Sequence, residues 1–260
     1  MLRFSAVAGQ FYPENKGELE EMIDGFLRQA KPSKIEGKIF GLLLPHAGYV
    51  FSGHVAACGF KVISKENFDT VIIIGDSHYE RFDGVAIWPE GEWETPLGRV
   101  EIDSELARTV LGSSKRFVRR DSAHLWEHSI EVHLPFLQKI LRNFKILPII
   151  FGSENKDWGL LAETISKNVK DKILIIASAD LSHYLSYREA KKTDKKTLNN
   201  LLGLQTSGLD ICAIDSAKTI IEITKKLGGK AKLLKYLNSG DTAGDKLRVV
   251  GYGAVAFHGQ

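Results

Sequence analysis

Short runs of consecutive apolar residues, separated by longer amphipathic stretches, constrain the fold of this chain most strongly. Runs such as Ile39–Leu44 and Ile173–Ala177 consist almost wholly of aliphatic residues and show no polar alternation. Strands of this kind are buried on both faces, as in parallel sheets covered by helices. We predict seven strands, which are Ile39–Leu44, Thr70–Ile74, Gly84–Trp88, Lys145–Phe151, Ile173–Ala177, Leu233–Leu237 and Arg248–Phe257. The sequence therefore predicts an α/β fold.

The amphipathic stretches between these strands predict the helices. They are Lys16–Gln29, Gly53–Ser64, Ser104–Leu111, Glu127–Arg142, Trp158–Asn168, Glu189–Leu202 and Ala213–Leu227. Strands that alternate with helices are typical of a three-layer α/β/α domain around a mostly parallel, mixed sheet. Because no repeat, low-complexity segment or Pro/Ser-rich linker interrupts the pattern, we expect a single domain over residues 1–260.

Composition excludes several classes of protein. The chain is 43% apolar and 26% charged, as in ordinary globular proteins, and no apolar run reaches the roughly 18 residues of a membrane helix. A net charge of +3 gives no indication of a nucleic-acid partner. Two cysteines are too few for a disulfide framework, and the N-terminus lacks the pattern of a secretory signal. We expect a cytoplasmic protein without a membrane or nucleic-acid partner.

Histidine and aspartate side chains follow the predicted strands. His46 comes after the first strand, His78 after the second, Asp180 and His183 after Ile173–Ala177, and Asp241 after Leu233–Leu237. In open α/β sheets, ligands bind beyond the carboxyl ends of the strands. If the four strands are parallel neighbours, these side chains converge on one functional site.

The chemistry of these residues favours a metal centre with a nearby acid or base. Two histidines and one carboxylate form the facial triad of non-haem Fe(II) enzymes, which leaves coordination positions open. Asp180 lies three residues before His183, a spacing that allows the carboxylate to orient an imidazole acting as acid or base. A Ser-His-Asp hydrolase and a nucleotide site have little support, because the chain lacks G-x-S-x-G, G-x-G-x-x-G and P-loop motifs.

A second polar concentration covers residues 124–133. On a helix His124, His128 and Glu131 share one face and would line a pocket. The alternative is a polar helix start, with Glu127 and Glu131 near the positive end of the helix dipole. The sequence leaves both interpretations open. Cys58 and Cys212 lie in small apolar contexts, where a free cysteine behaves as a small hydrophobe.

Six motifs in this order resemble the Memo family, from about Ala8 to about Phe257. They are Ala8-Gly9-Gln10-Phe11-Tyr12-Pro13, Pro45-His46-Ala47-Gly48-Tyr49, Gly75-Asp76-Ser77-His78, Thr95-Pro96-Leu97-Gly98, Glu127-His128-Ser129-Ile130-Glu131 and Ser178-Ala179-Asp180-Leu181-Ser182-His183-Tyr184. The resemblance implies a fold similar to the class III extradiol ring-cleavage dioxygenases, which use non-haem Fe(II). Eukaryotic Memo proteins bind iron or copper and are linked to redox activity, signalling and phosphotyrosine-peptide recognition.

The resemblance also assigns roles to residues. His46 and His78 match the two metal-binding histidines, while Asp180 and His183 match further pocket residues, the histidine corresponding to the acid/base of the dioxygenases. The third ligand of eukaryotic Memo looks to be a cysteine at the position nearest Thr242, beside Asp241. We therefore expect Asp241, Thr242 or water to complete the site, with neither cysteine involved. A site of nitrogen and oxygen ligands favours Fe(II) and disfavours copper.

Three functional hypotheses follow. The first is a metal-dependent oxidoreductase of dioxygenase type with an unknown substrate, in which His46, His78 and Asp241 hold Fe(II). In it, His183 moves protons, oriented by Asp180, and His128 lines the pocket. The second is a non-catalytic binding protein that uses the same pocket for an anionic peptide or a small ligand. The third rests on the resemblance alone: an accessory partner of a radical S-adenosylmethionine protein.

Overall fold

A computed structural model of the protein describes residues 1–152, 157–168 and 172–259. Its strands are β1 (Leu2–Arg3), β2 (Ile39–Leu44), β3 (Thr70–Asp76), β4 (Val85–Ile87), β5 (Glu92–Thr95), β6 (Gly98–Ile102), β7 (Phe117–Arg119), β8 (Lys145–Phe151), β9 (Ile173–Ser178), β10 (His183–Leu185), β11 (Lys230–Asn238) and β12 (Val249–His258). Its helices are α1 (Lys16–Gln29), α2 (Tyr49–Ile63), α3 (Ser104–Gly112), α4 (Ser122–Leu125), α5 (His128–Glu131), α6 (Leu134–Ile140), α7 (Trp158–Asn168), α8 (Tyr187–Leu202) and α9 (Ile214–Lys226). Within these ranges, no helix combines the length and the apolar character that a membrane crossing requires.

The centre of the sheet is parallel, and antiparallel strands are added on both sides. The central strands run in the order β8-β3-β9-β2, and each pairs in parallel with its neighbour. On one side β12 pairs antiparallel with β2, and β11 pairs antiparallel with β12. On the other side β6 continues the sheet in parallel and forms an antiparallel hairpin with β5. The prediction of a mixed, mostly parallel sheet is confirmed.

Helices cover both faces of this sheet. Along β3, Val71 and Ile73 belong to one apolar core, and Ile72 and Ile74 belong to the other. The first core is completed by residues of α1, α2, α5 and α6, and the second by residues of α3, α7, α8 and α9. Burial of both strand faces explains why the strand sequences are continuously apolar. The predicted three-layer α/β/α architecture is therefore confirmed.

One predicted helix is divided in the observed structure. The stretch Glu127–Arg142 forms two short helices, α5 and α6, rather than one continuous helix. Pro135 lies in the first turn of α6, where its missing N–H costs nothing but would interrupt a longer helix. The glutamate at position 127 is the N-cap of α5, and its side chain accepts a hydrogen bond from Ser129 N. Because of this break, α5 packs on the end of β3, where the histidines lie.

His124 gives the protein a predictable sensitivity to acid. Its ring is fully buried between Trp88 and Trp93, with ring centroids 5.9 and 6.0 Å away. Burial, assisted by the charge of Arg3, lowers the pKa of His124 to about 3. As the pH falls below about 6.5, the unfolded chain therefore gains a proton on this ring that the folded chain excludes, and stability falls until the pH nears 3.

We expect this one ring to remove about 2 kcal/mol of stability between pH 7 and pH 5. Urea unfolding of the wild type and of His124→Phe at both pH values measures the difference. The variant should lose about 2 kcal/mol less than the wild type over this interval. Equal losses in the two proteins would contradict a buried, neutral His124.

Candidate metal centre

The carboxyl ends of β2, β9 and β3 surround a cavity of about 450 Å³. Three imidazole rings meet there: the ring centroids of His46 and His78 are 5.0 Å apart, those of His46 and His128 5.1 Å, and those of His78 and His128 4.6 Å. Asp180 and His183 line the same cavity. The structure thus brings five of the six predicted site residues together, and Asp241 is the exception.

His46 is held in one tautomer by Ser178. The parallel register pairs Leu44 of β2 with Ser178 of β9, which places the serine hydroxyl beside His46. The single hydroxyl proton goes to the carbonyl of Ser129, at 2.5 Å, because a carbonyl only accepts. Oγ of Ser178 must then accept from Nδ1 of His46 (3.0 Å) and from Nε2 of His133 (2.8 Å). Nε2 of His46 consequently keeps its lone pair.

His78 is oriented by Glu127. Nδ1 of His78 lies 2.9 Å from Oε1 of Glu127, and the backbone N–H of His78 donates to Oε2 at 2.8 Å. Burial alone would raise the pKa of Glu127, but its hydrogen bond to His78 and the charge of that ring lower it to about 2. For His78 burial acts in the opposite direction and is outweighed by Glu127, so its pKa is raised. In the neutral ring Nδ1–H donates to the carboxylate, and the lone pair lies on Nε2.

His128 reaches the cavity because α5 packs closely on the end of β3. A Cβ on Gly75 would lie 2.4 Å from Oγ of Ser129, so only glycine permits this approach. The ring of His128 packs against Phe11, with centroids 4.7 Å apart. Burial lowers the pKa of His128 to about 4. His128 is therefore a neutral group of the cavity wall at pH 7. Of the two interpretations of residues 124–133, pocket lining holds for His128, whereas His124 is buried in the core.

Asp180 and His183 share the cavity but do not form the expected pair. Oδ1 of Asp180 accepts from the backbone N–H of His46 at 2.8 Å, so the carboxylate holds the loop after β2. Nδ1 of His183 instead lies 2.9 Å from the carbonyl oxygen of Leu181 and donates to it. Hence a backbone carbonyl, and not Asp180, orients His183, and the expectation from the i, i+3 spacing was wrong. Burial raises the pKa of Asp180 to about 7 and lowers that of His183.

Asp241 lies away from the histidines. It ends a turn of 3-10 helix after β11, where Oδ1 accepts from the Tyr187 hydroxyl at 2.5 Å and Oδ2 from Asn238 N at 3.1 Å. With Thr242 it lines a different cavity. The loop after β11 reaches the histidine cavity through Ser239, but the Asp241 carboxylate is held by Tyr187 and Asn238 and does not line that cavity. The structure therefore does not support Asp241 or Thr242 as third ligand.

Cys212 lies beside His46 at the site, which the sequence did not predict. Its Sγ lies 3.4 Å from Nε2 of His46, and it accepts from the backbone N–H of Asp180 at 3.2 Å. The expectation that neither cysteine reaches the site was therefore wrong. Although the residue as a whole is exposed, its sulfur lies against these buried groups, and desolvation raises the pKa of the thiol. The apolar context around Cys212 carried no signal of this contact, which joins residues 166 positions apart.

Within the described part of the chain, two groups of side chains bring potential ligand atoms within 4.8 Å of one another. One is His46, His78 and Cys212, and the other is His78, Glu127 and His128. The Glu127 carboxylate already accepts hydrogen bonds from His78 N, His78 Nδ1 and Ser129 N, so it serves to orient His78. In the first group, His46 and His78 have Nδ1 engaged and Nε2 available. Imidazoles fixed in this way through their second nitrogen are typical of metal ligands, so these residues fit a metal ion.

Other residues of the site escaped the sequence analysis. Ser178 ends β9 two residues before Asp180, and its position at a strand end was the only available signal. Phe11 and Tyr252 form an apolar part of the cavity wall. Arg248 adds a positive charge, and its guanidinium carbon lies 5.1 Å from the ring centroid of Tyr184. Phe11 comes from the N-terminal segment, whereas Arg248 and Tyr252 lie four residues apart at the start of β12 and directly before it. The cavity therefore combines ligand nitrogens, apolar wall and one positive charge.

Comparison with known proteins shows matches over nearly the whole chain. The family model described as "Memo-like protein" matches residues 3–256. A "MEMO1 family protein" of Desulfurococcus amylolyticus is 39% identical over 282 aligned positions, covering 98% of this chain and 99% of the relative. A protein of the same description from Methanosarcina mazei is 40% identical, with 98% of each chain covered. Another from Nitrosopumilus maritimus is 38% identical and covers 99% of this chain and all of the relative.

Proposed function

Because the chain belongs to the Memo family, we propose that it is a metal-dependent oxidoreductase whose metal is held at the strand ends by His46 and His78. The observation that carries this proposal is the matched orientation of the two rings. Ser178 and Glu127 form hydrogen bonds with the Nδ1 atoms, so both Nε2 atoms remain available to bind the same metal ion.

Fe(II) is the metal that we propose, in line with the family resemblance to extradiol dioxygenases. When bound, it would supply one-electron redox chemistry and open coordination positions for a small substrate. The residues of the chain would bind and orient that substrate. Phe11 and Tyr252 offer apolar contact, and His128 closes the wall beside His78.

Proton transfer in this proposal belongs to His183. Nδ1 of His183 is committed to the Leu181 carbonyl, which leaves Nε2 to accept a proton inside the cavity. Asp180 holds the loop that carries His46 through its hydrogen bond to His46 N. A proton donor and acceptor thus lies beside the proposed metal without being a ligand of it.

Metal titration of chelator-treated protein tests the proposal. Under anaerobic conditions we expect the protein to bind one equivalent of Fe(II), measured by elemental analysis after removal of unbound ion. Substoichiometric metal that dialysis removes would overturn the metal centre. Bound Fe(II) without oxygen uptake in the presence of any catechol would leave the binding site in place and overturn the dioxygenase-type activity.

Ser178 gives a prediction that is specific to the tautomer argument. Ser178→Ala removes the acceptor of the His46 Nδ1 proton, so the ring loses both its orientation and its fixed lone pair. Loss of such an outer-shell partner typically costs 10–100-fold in metal affinity, and we expect a weakening in this range. Competition with a chromogenic chelator measures it. The control is Ser113→Ala, which removes a hydroxyl that donates to Val110 O in α3 and should leave the metal affinity unchanged. An unchanged affinity in Ser178→Ala would contradict the assignment.

A second candidate function is anion binding without turnover. Arg248 and Phe51 line the cavity beside the histidines, a combination that suits a small ligand with an anionic group. Binding of such a ligand by chelator-treated protein would favour this candidate, whereas a strict requirement for metal would exclude it. Association with a radical S-adenosylmethionine protein stays a prediction, which co-purification would test.

A further inference from the structure

We propose that Arg248 anchors the carboxylate of the substrate, so that the cavity at the strand ends takes small aromatic carboxylic acids. The inference rests on the proposed function, because it names the class of substrate on which the metal site would act. It adds a substrate-binding residue to the histidines, and it concerns an ionic contact that the metal and its ligands do not provide.

Arg248 brings a positive charge into the cavity without a counter-charge. Its side chain lines the same cavity as His46 and His78. In the part of the chain that the structure describes, the guanidinium packs on the ring of Tyr184 and forms no ion pair and no side-chain hydrogen bond. By contrast, the buried Arg3 is neutralised by Glu131 at 2.6 Å. The charge of Arg248 is therefore available to an anionic ligand.

The ring of Tyr184 holds the guanidinium of Arg248 without neutralising its charge. The guanidinium carbon lies 5.1 Å from the ring centroid, a distance at which the π face attracts the cation. Tyr184 has a φ of 59°, a left-handed conformation that is uncommon for a bulky side chain. Backbone strain of this kind clusters at ligand sites. The stacked guanidinium keeps its N–H donors for a planar anion, which it binds through two parallel hydrogen bonds.

The turn before β12 fixes Arg248 at the cavity and limits the charge of the ligand. Oδ1 of Asp245 accepts from Leu247 N at 2.7 Å and from Arg248 N at 3.3 Å, so this carboxylate holds the backbone of the turn. Asp245 and Asp180 both line the cavity. One cation beside two carboxyl groups favours a ligand with a single negative charge, because a phosphate dianion would be repelled more strongly. A carboxylate has the required charge and the required planar shape.

The remaining wall indicates the body of the substrate. Phe11, Phe51 and Tyr252 line the cavity, and the ring centroid of Phe11 lies 4.7 Å from that of His128. Aromatic side chains bind flat apolar groups through offset and edge-to-face contacts. The volume of about 450 Å³ is in the usual range for a small-molecule site. With its carboxylate at Arg248, an aromatic acid would place its ring against this wall, beside the histidines.

Binding of 2-naphthoate tests the inference, with 2-naphthamide as the uncharged ligand of the same shape. In Fe(II)-treated protein under anaerobic conditions, we expect calorimetric titration to show naphthoate binding about 10-fold or more tightly than naphthamide. Arg248→Met should weaken naphthoate binding by about 10–100-fold, the usual effect of losing a hydrogen bond to a charged group, and should abolish the preference. Arg248→Lys keeps the charge but loses the planar fork, so its affinity should lie between the two.

Lys246→Met and Tyr184→Phe are the matched controls. Lys246 lies two residues from Arg248, but its Nζ lies 5.1 Å from the ring centroid of Tyr187, and its side chain is outside the described lining of the cavity. Tyr184→Phe keeps the ring beneath the guanidinium. Both variants should retain the preference for naphthoate, whereas Tyr184→Leu should reduce it.

The outcomes separate this inference from the proposed function. Equal affinity for naphthoate in the wild type and in Arg248→Met would overturn the inference, and so would a wild type that does not prefer naphthoate to naphthamide. Either result, together with Fe(II) uptake that depends on His46, would leave the proposed function standing. Naphthoate binding that depends on Arg248 in a protein that takes up no Fe(II) would overturn the proposed function and leave the carboxylate site in place.

Discussion

Alanine in place of His46 or His78 should abolish stoichiometric metal binding. We expect the affinity for Fe(II) to fall at least 100-fold, which exceeds the usual effect of losing an outer-shell partner. Each substitution removes one of the two Nε2 atoms that the structure leaves available. The remaining imidazole cannot hold the ion alone in competition with water. Metal content by elemental analysis, together with a competitive chelator titration, measures the loss.

The control for these variants is His54→Ala. His54 is a half-buried histidine of α2 that packs on Phe26 and lines the separate cavity near Asp241. We expect this variant to retain full metal content. Equal metal binding by His46→Ala and His54→Ala would contradict the assignment, provided that circular dichroism shows both to be folded.

Glu131→Gln should destabilise the protein by about 3–5 kcal/mol, the usual effect of removing one partner of a buried ion pair. The Glu131 carboxylate is fully buried and accepts four hydrogen bonds. Its donors are Arg3 Nη1 (2.6 Å), the Tyr12 hydroxyl (2.6 Å), Ala6 N (2.8 Å) and Val7 N (3.0 Å). An amide would replace one acceptor by a donor that faces these groups, and it would leave the Arg3 charge buried without its counter-charge.

A surface pair provides the comparison. Glu94 pairs with Arg99 at 3.1 Å, but the two side chains are 33% and 52% exposed. Glu94→Gln should therefore cost less than about 1 kcal/mol. Urea unfolding of both variants measures the contrast, and a loss below 1 kcal/mol for Glu131→Gln would contradict a structural role for this network.

This network also connects the N-terminal segment to the site. Arg3 donates through Nε to His124 O and through Nη2 to Glu127 O, at 2.8 and 2.9 Å. It thereby fixes the segment from which Glu127 and His128 reach the cavity. The motif that includes Tyr12 resembled the family without an evident role, and its contact with Glu131 now gives a physical reason for it.

The fold was predictable because its signals are local. Continuous apolar runs such as Ile39–Leu44 require helices on both faces, and the observed β2 has the predicted bounds. The single helix predicted over Glu127–Arg142 was wrong, because Pro135 lies in the first turn of a second helix and α5 packs on the end of β3. That packing depends on Gly75, whose close contact with Ser129 cannot be inferred from spacing.

The site was predictable where it lies at strand ends and, for His128, from the polar stretch 124–133. His46, His78 and Asp180 follow parallel strands that are neighbours, so the rule for open sheets placed them together. The prediction for Asp241 failed because its carboxylate is held by the Tyr187 hydroxyl and Asn238 N, contacts that spacing along the chain does not show. Cys212 was missed because it reaches His46 from another part of the chain.

Anomalous diffraction from crystals of protein purified without chelator tests the central claim most directly. Data on both sides of the iron absorption edge locate the metal and identify it. We predict one anomalous peak within bonding distance of Nε2 of His46 and Nε2 of His78. Iron located elsewhere, such as at Asp241, or a metal-free cavity in crystals soaked with Fe(II) under anaerobic conditions, would contradict it.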